Sequence, residues 1–292
     1  DGIASLKTAI IDKFKKDNGL SYTPKQILVS CGGKQSSFNL TQALLNAGDE
    51  VIIPAPYWVS YPDMVILADG VPVIIETKQS EHFKITPKQL RAAITSKTRL
   101  IFINSPSNPS GIAYTLAELK ALGDVLADYP NIVIATDDMY EHILWKTGTF
   151  VNMLNAHPTF YDRTVVMNGI SKAYSMTGWR IGYAAGPEKL IEAMKRYFAT
   201  HFQYYTKAHG FHVNVIGSDF TQRHDLFGKI YVDAQEAIDD IGEHIRAIDK
   251  YAPISIADLY DAKTISEDGT LITSTQQMFS NLIASNNEVI AS

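Results

Sequence analysis

The chain has 292 residues, enough for two ordinary domains that each bury an apolar core. Apolar residues make up 46% of it and charged residues 20%, a globular composition that excludes a disordered or fibrous protein. The net charge of −5 argues against a protein that coats nucleic acid, so we expect no nucleic-acid partner. No stretch of the sequence is apolar for long enough to span a bilayer, so we expect no membrane partner.

Charge is distributed unevenly along the chain. Residues 199–292 contain 6 Lys and Arg against 13 Asp and Glu, whereas residues 1–198 contain 20 and 18. This change of composition predicts a domain boundary near residue 198. The single cysteine, Cys31, excludes an internal disulfide and is typical of a reducing compartment. Because the first residues also lack a signal-peptide core, we expect a cytoplasmic protein.

The first 198 residues alternate between helical and strand patterns. Apolar residues at helical spacing between Ile3 and Phe14 predict a first helix, which ends at Gly19. Six short apolar strands follow, at residues 26–30, 51–53, 71–75, 100–103, 132–135 and 164–167. Helical stretches separate them, the clearest at residues 115–127. The alternation predicts an α/β fold, in which a mainly parallel sheet is covered by helices and ligands bind at the carboxyl ends of strands.

Five of these strands are followed by segments of unusual composition. The segments are residues 31–35, 56–62, 104–111, 136–140 and 168–180. Taken singly, each has a plain structural explanation: a tight turn, core aromatics, a rigid proline-rich loop, a satisfied carboxylate and a solvated lysine. Taken together, they supply the chemistry of a pyridoxal-phosphate site. That site needs a lysine that forms a Schiff base, a carboxylate for the pyridine nitrogen, a stacking aromatic and a helix N-terminus for the phosphate.

These segments resemble the aspartate aminotransferase family of class I pyridoxal-phosphate enzymes. The resemblance covers residues 1 to about 198, and the run Ser171-Lys172-Ala173-Tyr174-Ser175-Met176-Thr177-Gly178-Trp179-Arg180 carries most of it. The segments at residues 104–111 and 56–62 match almost as closely. The resemblance implies an enzyme of the aspartate/2-oxoglutarate type, which transfers an amino group between an amino acid and a 2-oxo acid.

The resemblance also implies roles for individual residues. Lys172 is the Schiff-base lysine and proton carrier, and Asp137 pairs with the pyridinium nitrogen. Tyr140 and Asn108 contact the ring hydroxyl, and Trp58 stacks on the ring. The residues that hold the phosphate are Gly33, Lys34, Ser171 and Arg180. We expect the catalytic residues to be Lys172, Asp137 and Tyr140.

Two features of the family have no counterpart in this sequence. The family has an N-terminal segment ahead of the point where this chain starts, and it continues into a small domain whose arginine clamps the substrate carboxylate. Asp138 and Ser110 stand where the family usually has Glu and Thr, which are milder changes. We therefore expect a complete cofactor half of the site, an incomplete substrate half and turnover far below that of a complete enzyme.

Residues 199–292 follow a helical pattern instead. One helix is predicted to end near residue 217, a second to cover residues 218–250, and a third to begin near residue 273. On the second helix Asp239 and Glu243 lie one turn apart on one face. Carboxylates paired with histidine bind iron in helix bundles, but a solvated acidic face is the commoner explanation and is favoured by these residues alone.

This region resembles the Dps family of ferritin-like iron-storage and DNA-protection proteins, on residues 208–215 and 220–231. The resemblance implies four ferroxidase iron ligands, drawn from two subunits: His212, His224, Asp239 and Glu243. Gly228 and Val213 stand where many members have an acidic ligand and a tryptophan, which argues against ferroxidase activity. No lysine-rich arm supports DNA binding.

The sequence thus resembles the middle of one family joined to the front of another, near residues 196–202. A natural fusion, a gene rearrangement, an assembly artefact and a deliberate chimera all fit this pattern. We predict a pyridoxal-phosphate domain at residues 1–198 and a ferritin-like helical segment at residues 199–292. Both families are oligomeric, so we expect a homo-oligomer. Three hypotheses remain: an aminotransferase, an iron-binding storage protein, and a fragment without activity.

Overall fold

The computed structural model describes residues 2–145, 148–214, 221–230 and 275–291. The chain divides into two compact units, Asp1–Glu192 and Ala193–Ser292. Among the helices of the described residues, none combines the length and the hydropathy that crossing a bilayer requires.

The first unit is built around one sheet. Its strands are β1 (Ile27–Ser30), β2 (Glu50–Pro54), β3 (Val71–Ile75), β4 (Thr98–Asn104), β5 (Val133–Asp137), β6 (Thr164–Gly169) and β7 (Gly182–Ala185). The α-helices that begin in this unit are α1 (Ala4–Lys13), α2 (Gly33–Leu44), α3 (Ser60–Ile66), α4 (Pro87–Ala93), α5 (Leu116–Leu126), α6 (Met153–Ala156), α7 (Ile170–Ala173) and α8 (Glu188–Asn214). Short helical turns lie at Phe14–Asn18, Pro24–Gln26, Gln79–Glu81, Pro158–Arg163 and Thr177–Trp179.

The strand order is β1-β7-β6-β5-β4-β2-β3. The pairs β3–β2, β2–β4, β4–β5 and β5–β6 are parallel, whereas β7 runs antiparallel to both β6 and β1. The predicted α/β fold with a mainly parallel sheet is confirmed, and each of the six predicted strands overlaps one of β1 to β6. The carboxyl ends of five of these strands therefore lead into the five unusual segments.

The sequence did not predict β7. Its residues, Gly-Tyr-Ala-Ala, include no β-branched side chain, so the strand carries little intrinsic signal. Its position is decided by packing instead. A side chain at Gly182 would place a Cβ 2.2 Å from the backbone carbon of Gly32, so only glycine lets β7 lie beside the turn that follows β1.

Local signals start the helices that flank the sheet. Thr86 and Thr115 each accept a hydrogen bond from the backbone N–H three residues on, and Gln89 and Glu118 bond back to them, which forms capping boxes at α4 and α5. The α1 helix continues as one wider turn and ends at Gly19, which adopts a left-handed conformation with φ of 67°. The helix end predicted at Gly19 is confirmed.

The described residues of the second unit are helical. The unit contains most of α8, a helix α9 at residues 221–230, and α10 (Thr275–Ala291). Its core consists of the apolar side chains of Ala208, Phe211, Phe227, Met278 and Leu282. The predicted helix end at residue 217 and the predicted iron ligands Asp239 and Glu243 lie outside the described residues.

Candidate active site

A cavity of about 290 Å³ opens at the carboxyl edge of the sheet. Its lining includes every residue that the sequence assigned to the cofactor: Gly33, Lys34, Trp58, Asn108, Asp137, Tyr140, Ser171, Lys172 and Arg180. Asn104, Met139 and Thr177 complete the lining. These side chains come from segments far apart in sequence, which the parallel strands deliver to one edge.

Asp137 is the last residue of β5, and its carboxylate is held by two donors. The Tyr61 hydroxyl donates to Asp137 Oδ2 at 2.5 Å, and the Met139 N–H donates to Oδ1 at 3.2 Å. Desolvation by the surrounding protein raises the pKa of Asp137 above its usual value, and these two hydrogen bonds oppose the shift. No Lys, Arg or His of the described residues forms an ion pair with Asp137, so this desolvated carboxylate can accept a cationic partner from a ligand.

Tyr61 is fixed by aromatic neighbours. Its side chain is 1% exposed, stacks on Phe102 at a ring distance of 4.5 Å and meets the edge of Trp58 at 5.3 Å. Burial raises the pKa of the Tyr61 phenol, with further contributions from the charge of Asp137 and the hydrogen bond to it, so the phenol stays protonated and donates.

Asn104, the last residue of β4, ties the proline-rich loop to β5. Its amide donates to the backbone oxygen of Asp137 at 2.9 Å, and its Oδ1 accepts the N–H of Asn108 at 2.6 Å. Burial and the charge of Asp137 raise the pKa of the neighbouring Tyr140 phenol, while the amide of Asn108 lowers it. Tyr140, Asn108 and Asp137 therefore act on one another at the same end of the cavity.

Lys172 lies on α7, the short helical turn that begins directly after β6. The side chain is exposed and lines the cavity. Across the described residues it has neither a hydrogen bond nor an ion pair. The amine is thus available to react with a ligand in the cavity.

The opposite end of the cavity can hold an anion. The α2 helix begins after Gly32 with no side-chain cap. The Gln35 N–H donates to the Gly32 oxygen, whereas the N–H groups of Gly33 and Lys34 have no partner among the described residues and can bind an anion. Arg180 lies beside this terminus: a Cβ on Gly32 would fall 2.5 Å from its Nη2. Its Nη1 donates to the Thr177 oxygen at 3.0 Å, which fixes the guanidinium. Lys34 adds a second positive charge, with Nζ 5.4 Å from the centre of the Trp58 ring.

These features fit a flat, phosphorylated aldehyde with a ring nitrogen. Backbone N–H groups and two cations can bind a phosphate, and Trp58 supplies an aromatic face. Asp137 lacks a cation that a protonated ring nitrogen would provide. Lys172 supplies the amine. The residues of the cavity therefore fit the cofactor implied by the resemblance.

Sequence reasoning did not assign roles to Tyr61 and Asn104, although it singled out both segments that contain them. Asn104 could have been found as the last residue of a strand, in the position that Asp137 holds on β5. Tyr61 had no such signal, because its bond to Asp137 joins residues 76 apart in the chain.

In the second unit, His212 and His224 lie face to face. Their rings stack at 3.6 Å, and each Nδ1 bonds the backbone oxygen of the other residue, at 2.8 and 2.9 Å. A carbonyl oxygen only accepts, so each Nδ1 carries a proton and donates it, and Nε2 is the ring nitrogen of each residue that can act as a metal ligand. This is the tautomer of a histidine whose second nitrogen bonds a metal. Gly228 lies beside His212, since a Cβ there would be 3.2 Å from Nδ1.

One other cluster of metal-ligand groups occurs among the described residues, formed by Asp17, Glu141 and His142. Lys13 pairs with the Glu141 carboxylate, so a cation of the protein already occupies this position. Asp17 and His142 are exposed and only Glu141 is buried, so we interpret the cluster as a polar network that reaches the surface rather than as a metal centre.

Two family models match the chain. One described as aminotransferase class I and II matches residues 1–226, and one described as a ferritin-like domain matches residues 191–292. The two matches overlap along α8 and α9.

Similar proteins of known name match about two thirds of the chain. An aspartate/prephenate aminotransferase of Nitrosomonas europaea is 63% identical over 194 residues, which are 66% of this chain and 49% of that protein. The one of Cereibacter sphaeroides is 58% identical over 194 residues, 66% of this chain and 48% of that protein. The crystal structure of the aspartate aminotransferase from Rhizobium meliloti matches with a TM-score of 0.66 at 50% identity, covering 66% of this chain and 48% of that one. The chain spans about half the length of the curated relatives it matches.

Proposed function

We propose that this chain, which belongs to the class I and II aminotransferase family, binds pyridoxal 5′-phosphate at Lys172 and transfers an amino group between an amino acid and a 2-oxo acid. The observation that carries the proposal is the cavity, where an available lysine amine, a carboxylate without a cation and an anion-binding helix terminus converge. Each of these groups suits one part of that cofactor: the amine suits the aldehyde, the carboxylate the ring nitrogen and the helix terminus the phosphate.

Pyridoxal phosphate, when bound, supplies a ring that accepts electrons from the carbon that loses its proton. Lys172 Nζ would hold the cofactor until the amine of the substrate displaces it, and the released amine would then accept the proton of the substrate Cα and donate it back to the cofactor–substrate adduct. Asp137 holds the proton on the ring nitrogen, because its carboxylate supplies the opposite charge. Tyr140 and Asn108 bind the ring hydroxyl, and Trp58 orients the ring.

The phosphate group is assigned to the anion-binding end of the cavity. Gly33 and Lys34 contribute backbone N–H groups from the first turn of α2, and Ser171 contributes its hydroxyl. Arg180 contributes a guanidinium that its bond to Thr177 holds in place. Anchoring the phosphate fixes the distance between the ring and Lys172, which orients the reacting bond.

The proposed substrates have two sources. Two similar proteins are aspartate/prephenate aminotransferases, so we assign aspartate as amino donor. The resemblance to the aspartate aminotransferase family implies 2-oxoglutarate as acceptor. We expect the polypeptide of residues 1–292 to turn over far more slowly than about 1 per second, the lower end of common enzyme rates. No arginine has been assigned to the substrate carboxylate, and misplacement by about 1 Å can cost roughly 100-fold.

Borohydride reduction tests the cofactor assignment directly, because it fixes the cofactor onto the amine that binds it. We expect the label on Lys172 and its loss in Lys172→Ala. The control Lys97→Ala removes an exposed lysine away from the cavity and should keep the label. Label spread evenly over surface lysines would refute the proposal.

Domain organisation and assembly are proposals of the same kind. We assign cofactor binding to residues 1–198 and a ferritin-like helical segment to residues 199–292, in a cytoplasmic homo-oligomer. Light scattering that gives a single species at the chain mass of 32.3 kDa would contradict the oligomer.

A second candidate function is iron binding by the helical segment, favoured by the tautomers of His212 and His224. Their Nε2 atoms would be the ligands, together with Asp239 and Glu243. We expect His224→Ala to abolish Fe²⁺ binding, measured by titration of the metal-free chain, and His82→Ala to leave it unchanged. With Gly228 in place of an acidic ligand, oxidation of the iron should be slow.

A further inference from the structure

Glu141 is a buried carboxylate that immediately follows Tyr140 of the cavity. Its side chain is 3% exposed, and Lys13 forms an ion pair with it. Each oxygen also has its own amide donor: Asn168 Nδ2 donates to Oε1 and Asn18 Nδ2 donates to Oε2, both at 2.8 Å. A buried charge with this many partners holds several chain segments in one arrangement.

One of these segments leads to Lys172. Asn168 is near the end of β6, and its Oδ1 accepts the N–H of Gly169 at 2.7 Å. The α7 turn that carries Lys172 begins at the next residue. Gly169 lies close to the neighbouring backbone, since a Cβ there would be 2.8 Å from the Ile181 oxygen. The orientation of the Asn168 amide thus sets where α7 starts.

The other segment carries the remaining catalytic groups. The Glu141 N–H donates to the Asp138 oxygen at 3.0 Å, and the Asp138 N–H donates to the Met167 oxygen at 2.9 Å. These bonds close the turn that contains Asp137 and Tyr140 and fasten it to β6. The backbone of Glu141 therefore belongs to the segment that carries Asp137 and Tyr140. Its side chain accepts a hydrogen bond from Asn168, in the segment that leads to Lys172.

We propose that Glu141 is a positioning residue that sets Lys172 relative to Asp137 and Tyr140 through the amide of Asn168. The ion pair with Lys13 is made by the same oxygen, so it holds Oε1 as a fixed acceptor for Asn168, and the Asn18 bond to Oε2 is not needed for this. The inference rests on the proposed function, because Lys172 must meet a cofactor whose ring is held by Asp137. A positional error of about 1 Å at a reacting group can cost roughly 100-fold in rate.

The two amide donors provide a matched pair of variants. Asn168→Ala and Asn18→Ala each remove one buried hydrogen bond to Glu141, from opposite oxygens. We expect both to lower the melting temperature of the cofactor-free chain. Only Asn168→Ala should slow the borohydride-trapped labelling of Lys172 by pyridoxal phosphate, by roughly 10- to 100-fold, and shift the absorbance of the bound cofactor. Equal labelling rates in the two variants would overturn the proposal.

Amide hydrogen exchange of the cofactor-free chain gives a readout independent of the cofactor. Exchange over residues 169–174 should be faster in Asn168→Ala than in wild type, and unchanged in Asn18→Ala. The same exchange in both variants would overturn the positioning role, whether or not Lys172 reacts. Absence of labelling in the wild type would refute the proposed function instead. If Asn168→Ala does not fold, Asn168→Ser, whose hydroxyl is shorter than the amide, replaces it in both measurements.

Discussion

The two units of the chain bring the residues of their candidate sites together in different ways. In the first unit, the cavity residues come from five segments, and the sheet gathers them because parallel strands end at a common edge. In the second unit, His212 and His224 come from helices α8 and α9, which follow each other in the chain. Residues that are far apart in sequence but suit the same cofactor thus predict a site more strongly than two histidines on consecutive helices. Chance seldom brings such residues to one edge of a sheet.

The largest expected effect tests whether the two units unfold independently of each other. Phe227 is fully buried in the core of the second unit, so Phe227→Ala should cost that unit about 3–5 kcal/mol of unfolding free energy. The first unit contains every tryptophan of the chain, so fluorescence reports its unfolding alone, whereas far-UV circular dichroism reports both units. We expect the dichroism transition to shift to lower urea and the fluorescence transition to stay. A shared shift would contradict separate units.

The next effect concerns the negative charge of Asp137, which no cation of the described residues balances. Asp137→Asn keeps the shape but removes the carboxylate, and a hydrogen bond to a charged group contributes about 1.5–3 kcal/mol. Pyridoxal-phosphate affinity should therefore fall by roughly 10- to 150-fold, measured by absorbance titration. The control Asp162→Asn, at an exposed position of the same unit, should leave the affinity unchanged. An unchanged affinity in Asp137→Asn would contradict the role of Asp137.

The third effect concerns the protonation of Asp138, the neighbour of Asp137, and its influence on stability. Burial raises the pKa of Asp138 to about 8, the charges of Glu141 and Asp137 add to the shift, and the Asn152 hydrogen bond and Lys13 oppose it. The folded state therefore holds a proton that the unfolded chain releases above its ordinary pKa near 3.8.

The stability from this proton is complete below about pH 4 and is lost as the pH rises to about 8. Urea unfolding followed by tryptophan fluorescence should show the free energy falling by up to about 1.4 kcal/mol per pH unit between pH 5 and 7. Asp138→Asn should flatten this dependence. An equal slope in both proteins would contradict a protonated Asp138.

The smallest effect tests the hydroxyl of Tyr61. Tyr61→Phe removes the donor to Asp137. Because this hydrogen bond lowers the pKa of the carboxyl, its loss leaves less of the carboxyl ionised to pair with a protonated ring nitrogen. Cofactor binding should therefore weaken, by up to roughly the fivefold that corresponds to a net hydrogen bond of about 1 kcal/mol. Tyr22→Phe is the matched control, because Tyr22 is buried and its hydroxyl has no partner in the described part of the chain. The same change in both variants would show that packing, and not the hydrogen bond, is responsible.

Much of the first unit follows from its sequence. The apolar runs that become β1 to β6 are short and bounded by glycine, proline or polar residues, so their period and length are readable locally. The cavity residues were identifiable for a related reason: each follows such a strand, and the chemistry of the set is specific. The helical unit was less readable, since an acidic helix face has the same pattern whether it binds iron or water.

Sequence alone determined six of the seven strands and the residue types that meet at the edge of the sheet, because these depend on local periodicity and on the rule that parallel strands end together. Tertiary structure alone decided the position of β7, the hydrogen bond from Tyr61 to Asp137 and the hydrogen bond from Asn168 to Glu141. These last two contacts join residues 76 and 27 positions apart. Their partners are chosen by which side chains remain buried and unsatisfied once the sheet has formed, and no local pattern records that choice.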